Sequence, residues 1–150
     1  MNTLLKHFVS LATGISLALS HAWGADLTKY RWKNRLMLVF SAHTSEAGYV
    51  ALNQSLKQRL SEVQDRDLIV FRIFEEVPSR ITEQALPPEE AQGLRRRFNV
   101  KSGQLTVILI GKDGGVKMVQ ERRADIQAIF DLIDSMPMRQ REMQEGAGIP

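Results

Sequence analysis

His43, Ser45 and Glu46 fall within four residues and bring together a base, an oxygen nucleophile and an acid. An imidazole can take a hydroxyl proton near neutral pH, and a carboxylate can orient the ring. The same residue types also make an ordinary loop, since Ser and Thr ahead of a helix accept from its free amides. A catalytic set is defined by spatial roles and not by adjacency in the chain. The three are therefore candidates, and no catalytic set is assigned. Arg95, Arg96 and Arg97, with Arg122 and Arg123, are candidates for an anion patch. The first three equally suit the negative end of a helix, and a surface charge run is usually just solvated. Arg72 interrupts an apolar run; it either pairs with an acid such as Glu75 or faces the strand-end cleft as a ligand contact. The sequence does not choose between them.

Other chemistries are closed or poorly supplied. The 150 residues include no cysteine and three histidines, of which only His43 lies beyond residue 24. Thiolate chemistry needs a sulfur nucleophile, and a zinc site needs several converging His or Cys donors. Met136, Met138 and Met143 are types that ligate Cu(I), but methionine more commonly fills apolar gaps. No metal and no cofactor is expected. Gly111-Lys-Asp-Gly-Gly115 joins two strands instead of opening a helix, so it is not a phosphate loop.

Residues 1–24 read as a secretory signal. Lys6 supplies positive charge, and Phe8 to Leu19 is an apolar run shorter than a membrane span. Ser20, Ala22 and Gly24 offer small residues for cleavage after Ala22 or Gly24. Export to the periplasm or the medium is the expectation, with no membrane anchor after cleavage. Removing Lys6 lowers the formal charge from +3 to +2, too little to indicate nucleic-acid binding. Hydrophobic residues at 43% and charged residues at 25% fit one water-soluble globular domain.

The elements that must position the candidates follow from periodicity. Leu36 to Phe40, Leu68 to Phe74 and Leu105 to Ile110 read as strands, the first and third apolar without alternation, as in strands covered on both faces. His43, Thr44 and Ser45 form a loop and helix cap. Tyr49, Leu52, Leu56, Leu60 and Val63 then recur at helical spacing. Residues 75–86 show no period and contain Pro78, so they read as a loop. Pro87 and Pro88 open a second helix whose stripe is Ala91, Leu94 and Phe98. Lys112 to Gly115 is a tight turn into a strand from Val116 to Val119. Ile126, Ile129, Phe130 and Ile133 form the apolar face of a closing helix, and residues 137–150 are a polar tail with room for a short helix through Met143. The order is β-α-β-α-β-β-α, an α/β sandwich on a mixed four-stranded sheet, with its domain over residues 25–136.

That order resembles the thioredoxin-like fold, and Arg97-Phe-Asn-Val100 followed by a strand and Gly111-Lys-Asp-Gly-Gly-Val116 resembles thioredoxins and peroxiredoxins locally. Trp32 to Phe40, Leu94 to Lys117 and Leu132 to Met143 resemble a bacterial family of small exported proteins, domain-of-unknown-function family 4174. The last stretch, with Asp134-Ser-Met-Pro-Met-Arg139, is the most distinctive. The resemblance implies the fold and no established activity. Laid on a thioredoxin, Ser45 and Gly48 occupy the two CxxC positions, and Leu105, before Thr106, replaces the proline that faces them. A Ser hydroxyl has none of the thiol's redox chemistry. The expected role is a binding or adaptor module for an extracytoplasmic protein or peptide, its groove lined by His43, Thr44, Ser45, Gly48, Leu105 and Thr106. The alternatives are a non-redox enzyme using His43 with Ser45 or Glu46, and an anion-binding protein using the arginines.

Overall fold

Strand β1 (Arg35–Ser41) is buried at every residue, and β2 (Leu68–Phe74) at all but Ile69 and Arg72, in the computed structural model, which describes residues 25–147. The expected signal segment, residues 1–24, lies outside the described residues. β1 and β2 run parallel, from Arg35 opposite Leu68 to Ser41 opposite Phe74. A parallel pair needs a crossover, here supplied by helices α1 (Ala47–Gln58) and α2 (Leu60–Asp65). On its other side β1 pairs antiparallel with β5 (Thr106–Ile110), which turns through Gly111–Gly115 into β6 (Val116–Glu121). Gly114 takes φ 84°, a conformation glycine adopts without steric cost.

Alternate β1 residues point into two cores. Met37 and Val39 meet α1, α2 and α4 (Ile126–Ser135), while Leu36, Leu38 and Phe40 meet α3 (Pro88–Arg97) and the entry turn at Leu27. Two faces covered by helices explain why β1 and β5 carry no polar alternation.

Three departures from the sequence expectation have physical reasons. Among the described residues the sheet has six strands in place of the expected four, in the order β4-β3-β2-β1-β5-β6, because residues expected as loop form a hairpin of β3 (Ser79–Ile81) and β4 (Gln84–Leu86). Three residues are too few to display a period of two. Thr82 occupies the left-handed turn position (φ 52°), where glycine or asparagine usually signals a hairpin. The first crossover helix breaks at Arg59, so Leu60 is exposed while Leu56 and Val63 stay buried. Thr44 and Ser45 do not cap α1: Glu46 stands at the N-cap and makes no capping bond.

The polar tail forms α5 (Pro137–Gly146), held almost entirely by charge. Arg35, only 1% exposed, donates from both terminal nitrogens to Glu142, at 3.0 and 3.2 Å, and to the Arg66 carbonyl. Lys112 from the β5–β6 turn reaches Glu142 at 2.7 Å. Arg139, also buried, bonds the Asp65 carbonyl and carboxylate and Asp134. Asp134, Arg139 and Glu142 thus account for the distinctive end of the sequence: they weld α4 and α5 to the start of β1 and the end of α2. Arg59 and Arg66 cover the Phe130 ring at 4.5 and 4.4 Å, a cation–π contact that closes α4 onto α2.

Candidate functional site

The exit of β1, the start of α1 and the entry to β5 meet at one carboxylate. Glu46 Oε1 accepts the Leu105 backbone N–H at 2.8 Å, and Oε2 accepts from the Ser41 hydroxyl. Ser41 is fully buried and has the His43 carbonyl as a second acceptor at 2.9 Å. Both Glu46 oxygens are thereby engaged in structure. His43 Nδ1 lies 2.9 Å from Ser45 Oγ on the loop surface, so histidine and serine meet while the neighbouring acid turns away from them.

The position facing this loop is filled. Leu105 is fully buried and Thr106 nearly so, so the surface left to the expected groove comes from His43, Thr44, Ser45 and Gly48. A Cβ placed on Gly48 would stand 2.9 Å from Leu105 Cδ2 and 2.9 Å from the Arg122 carbonyl oxygen. Glycine at 48 is what lets Leu105 close over the helix start; even alanine there forces a backbone or a packed side chain to move.

Glu75, which sequence reasoning offers only as a partner for Arg72, is paired with Arg95 instead, at 3.0 Å. Arg95 also donates to the Ser41 and Ile73 carbonyls, at 2.9 and 3.1 Å, and lies over the Phe40 ring. It staples the carboxyl ends of β1 and β2. Arg97 lies over Phe98 and faces a different cleft, near Leu27, Arg31 and Gly114. Arg96, Arg122 and Arg123 are exposed, and the Arg122 amide donates to the Leu105 carbonyl at 2.8 Å. The arginines grouped in sequence therefore serve separate places. Met136 packs against the core and Met143 is exposed. Among the described residues no group of three or more His, Cys, Asp or Glu is placed to hold a metal.

Burial would raise the Glu75 carboxyl, but hydrogen bonds from Ser102 and Gly103 and the charges of Arg95 and His43 hold it below the ordinary range. Glu142 behaves alike: burial raises it, and the bonds and charges of Arg35 and Lys112 more than offset that. A carboxyl depressed in the folded state contributes stability that is complete above its unfolded value, about 4.3, and is lost as pH falls through the folded value. Stability measured by urea denaturation should therefore hold from about pH 7 to 5 and decline below about pH 4.3. Glu142→Gln should flatten part of that decline; an acid limb identical to that of the wild type would show that this carboxylate does not contribute.

Arg72 does face a cleft. It lines it with Thr44, Tyr49, Asn53, Lys57 and Arg80, under α1 and beside the β3–β4 hairpin. The sequence singles out Arg72 but not its companions, because the three-residue strand that carries Arg80 shows no period of its own.

Residues 26–142 match the family described as a domain of unknown function, DUF4174. The chain belongs to that family. The DUF4174 match covers every element from the entry turn into α5, including the Glu46 and Glu142 networks. Among solved structures, the reduced 2-Cys peroxiredoxin of Plasmodium vivax superposes with a TM-score of 0.58 at 14% identity, covering 78% of this chain and 85% of that one. Thioredoxin peroxidase I of Plasmodium yoelii superposes with a TM-score of 0.52, also at 14% identity, over 77% and 79%. These likenesses establish a thioredoxin-like fold. In sequence, coiled-coil domain-containing protein 80 of Danio rerio is 23% identical over 133 residues; the match takes in 78% of this chain but only 15% of that relative's length. The DUF4174 chain thus has a thioredoxin-like fold and no cysteine.

Proposed function

We propose that this DUF4174 chain is an exported recognition module that binds a partner or ligand without thiol chemistry. The observation that carries the reading is Glu46. At the place where the fold elsewhere presents a reactive thiol, this carboxylate ties Ser41 to Leu105, and Leu105 packs against a side-chain-free Gly48. Groups that hold one another in this way stabilise the scaffold and are not free to react. The signal-like residues 1–24 support export.

A second reading rests on the 2.9 Å contact between His43 and Ser45, a base beside a hydroxyl. Glu46 and Glu75, the acids nearest in sequence and in charge, have their oxygens engaged by Ser41, Leu105, Arg95, Ser102 and Gly103.

The test is a photo-crosslinking residue at exposed position 45, expressed in cells with the natural leader. A recurrent crosslinked species in the exported fraction is expected, and His43→Ala should leave it in place. Retention of the protein in the cytoplasm, or no recurrent species across growth conditions, would overturn the reading.

A further inference from the structure

Arg72 of β2 and Arg80 of β3 are directly opposed in the antiparallel register. Direct cross-strand partners project to the same face, and like charges placed there repel each other. Arg72 is half-buried, and its hydrogen bonds go to neutral groups: the Asn53 side-chain oxygen at 3.3 Å and the Thr82 carbonyl at 3.5 Å. Among the described residues no carboxylate lies within 4.0 Å of Arg72 or of Lys57. Arg80 has Glu83 at 3.6 Å, an exposed local pair that contributes little. The cleft of about 380 Å³ that these groups line therefore holds three cations against one loosely engaged acid.

Further donors face the same space. The Tyr49 phenol, raised by burial against the charge of nearby Arg72 and a hydrogen bond from it, adds a neutral hydroxyl to the cleft. The Thr44 hydroxyl adds another donor, while Phe74, Val77 and Pro78 form an apolar wall. A partly buried arginine in the middle of an otherwise apolar strand, opposed by a second arginine, is a costly arrangement for a scaffold alone. An anion between the two would remove the repulsion.

We propose that this cleft binds a small organic anion carrying a tetrahedral oxyanion, phosphate or sulfate, with its organic part against Phe74 and Pro78. The proposal rests on the recognition reading and gives it a ligand class. Two guanidinium forks and an ammonium offer more donors than the two oxygens of a carboxylate use well, whereas a tetrahedral oxyanion accepts on three. Arg72 holds the anion from the sheet, and Arg80 and Lys57 close on it from the hairpin and from α1.

Calorimetric titration of the purified protein with phenyl phosphate, phenyl sulfate and benzoate tests this. Saturable one-to-one binding of phenyl phosphate or phenyl sulfate is expected, with benzoate weaker by about tenfold or more. Which of the first two binds tighter identifies the headgroup. The variant Lys57→Gln with Arg80→Gln alters only exposed side chains. It should weaken binding by about tenfold or more, the loss that follows removal of charge-assisted bonds. Arg122→Gln with Arg123→Gln, the same charge change elsewhere, should leave binding unaltered. No saturable binding, benzoate binding as tightly, or equal losses in both double variants would overturn the site. Any of these results would leave the crosslinking experiment at position 45 to judge the recognition reading separately.

Discussion

Replacing Glu142 by alanine should destabilise the protein by about 3–5 kcal/mol, the range for leaving a buried charge without its partner. Arg35 is sealed beneath α5, and among the described residues its Nε has no hydrogen-bond partner, so Glu142 and the Arg66 carbonyl are what compensate its charge there. Without the carboxylate, Arg35 must either remain buried and uncompensated or pull α5 away to reach water. The reverse change should cost less. In Arg35→Met the remaining Glu142 is 23% exposed and keeps Lys112 at 2.7 Å. The methionine stem also refills part of the space. Urea denaturation of the two variants measures the difference, and Arg35→Met proving as costly as Glu142→Ala would contradict it. A segment that sequence patterning reads as a polar tail would then rank among the most sensitive parts of the molecule.

Glu46→Ala should cost about 1–3 kcal/mol, because the buried Leu105 amide loses its acceptor. Ser41 can turn to the His43 carbonyl, so the loss falls mainly on Leu105. Glu46→Gln should be milder: its amide oxygen can still accept from Leu105, while its amino group can donate to the Ser41 oxygen. That ordering separates the two accounts of this residue. A structural tie loses stability in proportion to the acceptor removed. A catalytic acid would leave stability unmoved in both variants and would show itself in turnover.

The elements most readable in the sequence are those that repeat one physical signal over many residues. The three apolar runs are covered strands, the stripe at Ile129, Phe130 and Ile133 is the buried face of α4, and Pro88 with the following acids does open α3. What the sequence conceals is short or held by charge. The β3–β4 hairpin has three-residue strands and a turn without its usual residues, and α5 buries Arg139 and no large apolar side chain. At the candidate site, sequence places His43, Ser45 and Glu46 side by side, and the fold keeps the first two together. It assigns the third to Leu105, 59 residues away, a pairing that no local pattern encodes. Arg72 is the one visible signal of the cationic cleft: a charge in the middle of an apolar strand needs a partner, a solvent path or a ligand.

At the exit of β1, Glu46 is a structural tie between the Ser41 hydroxyl and the Leu105 amide. Amide hydrogen exchange at Leu105 measures it most directly. Bonded to Glu46 beneath a packed side chain, that amide should exchange only through near-global unfolding in the wild type and should lose most of its protection in Glu46→Ala. Fast exchange at Leu105 in the wild type, or protection unchanged by the substitution, would contradict the account.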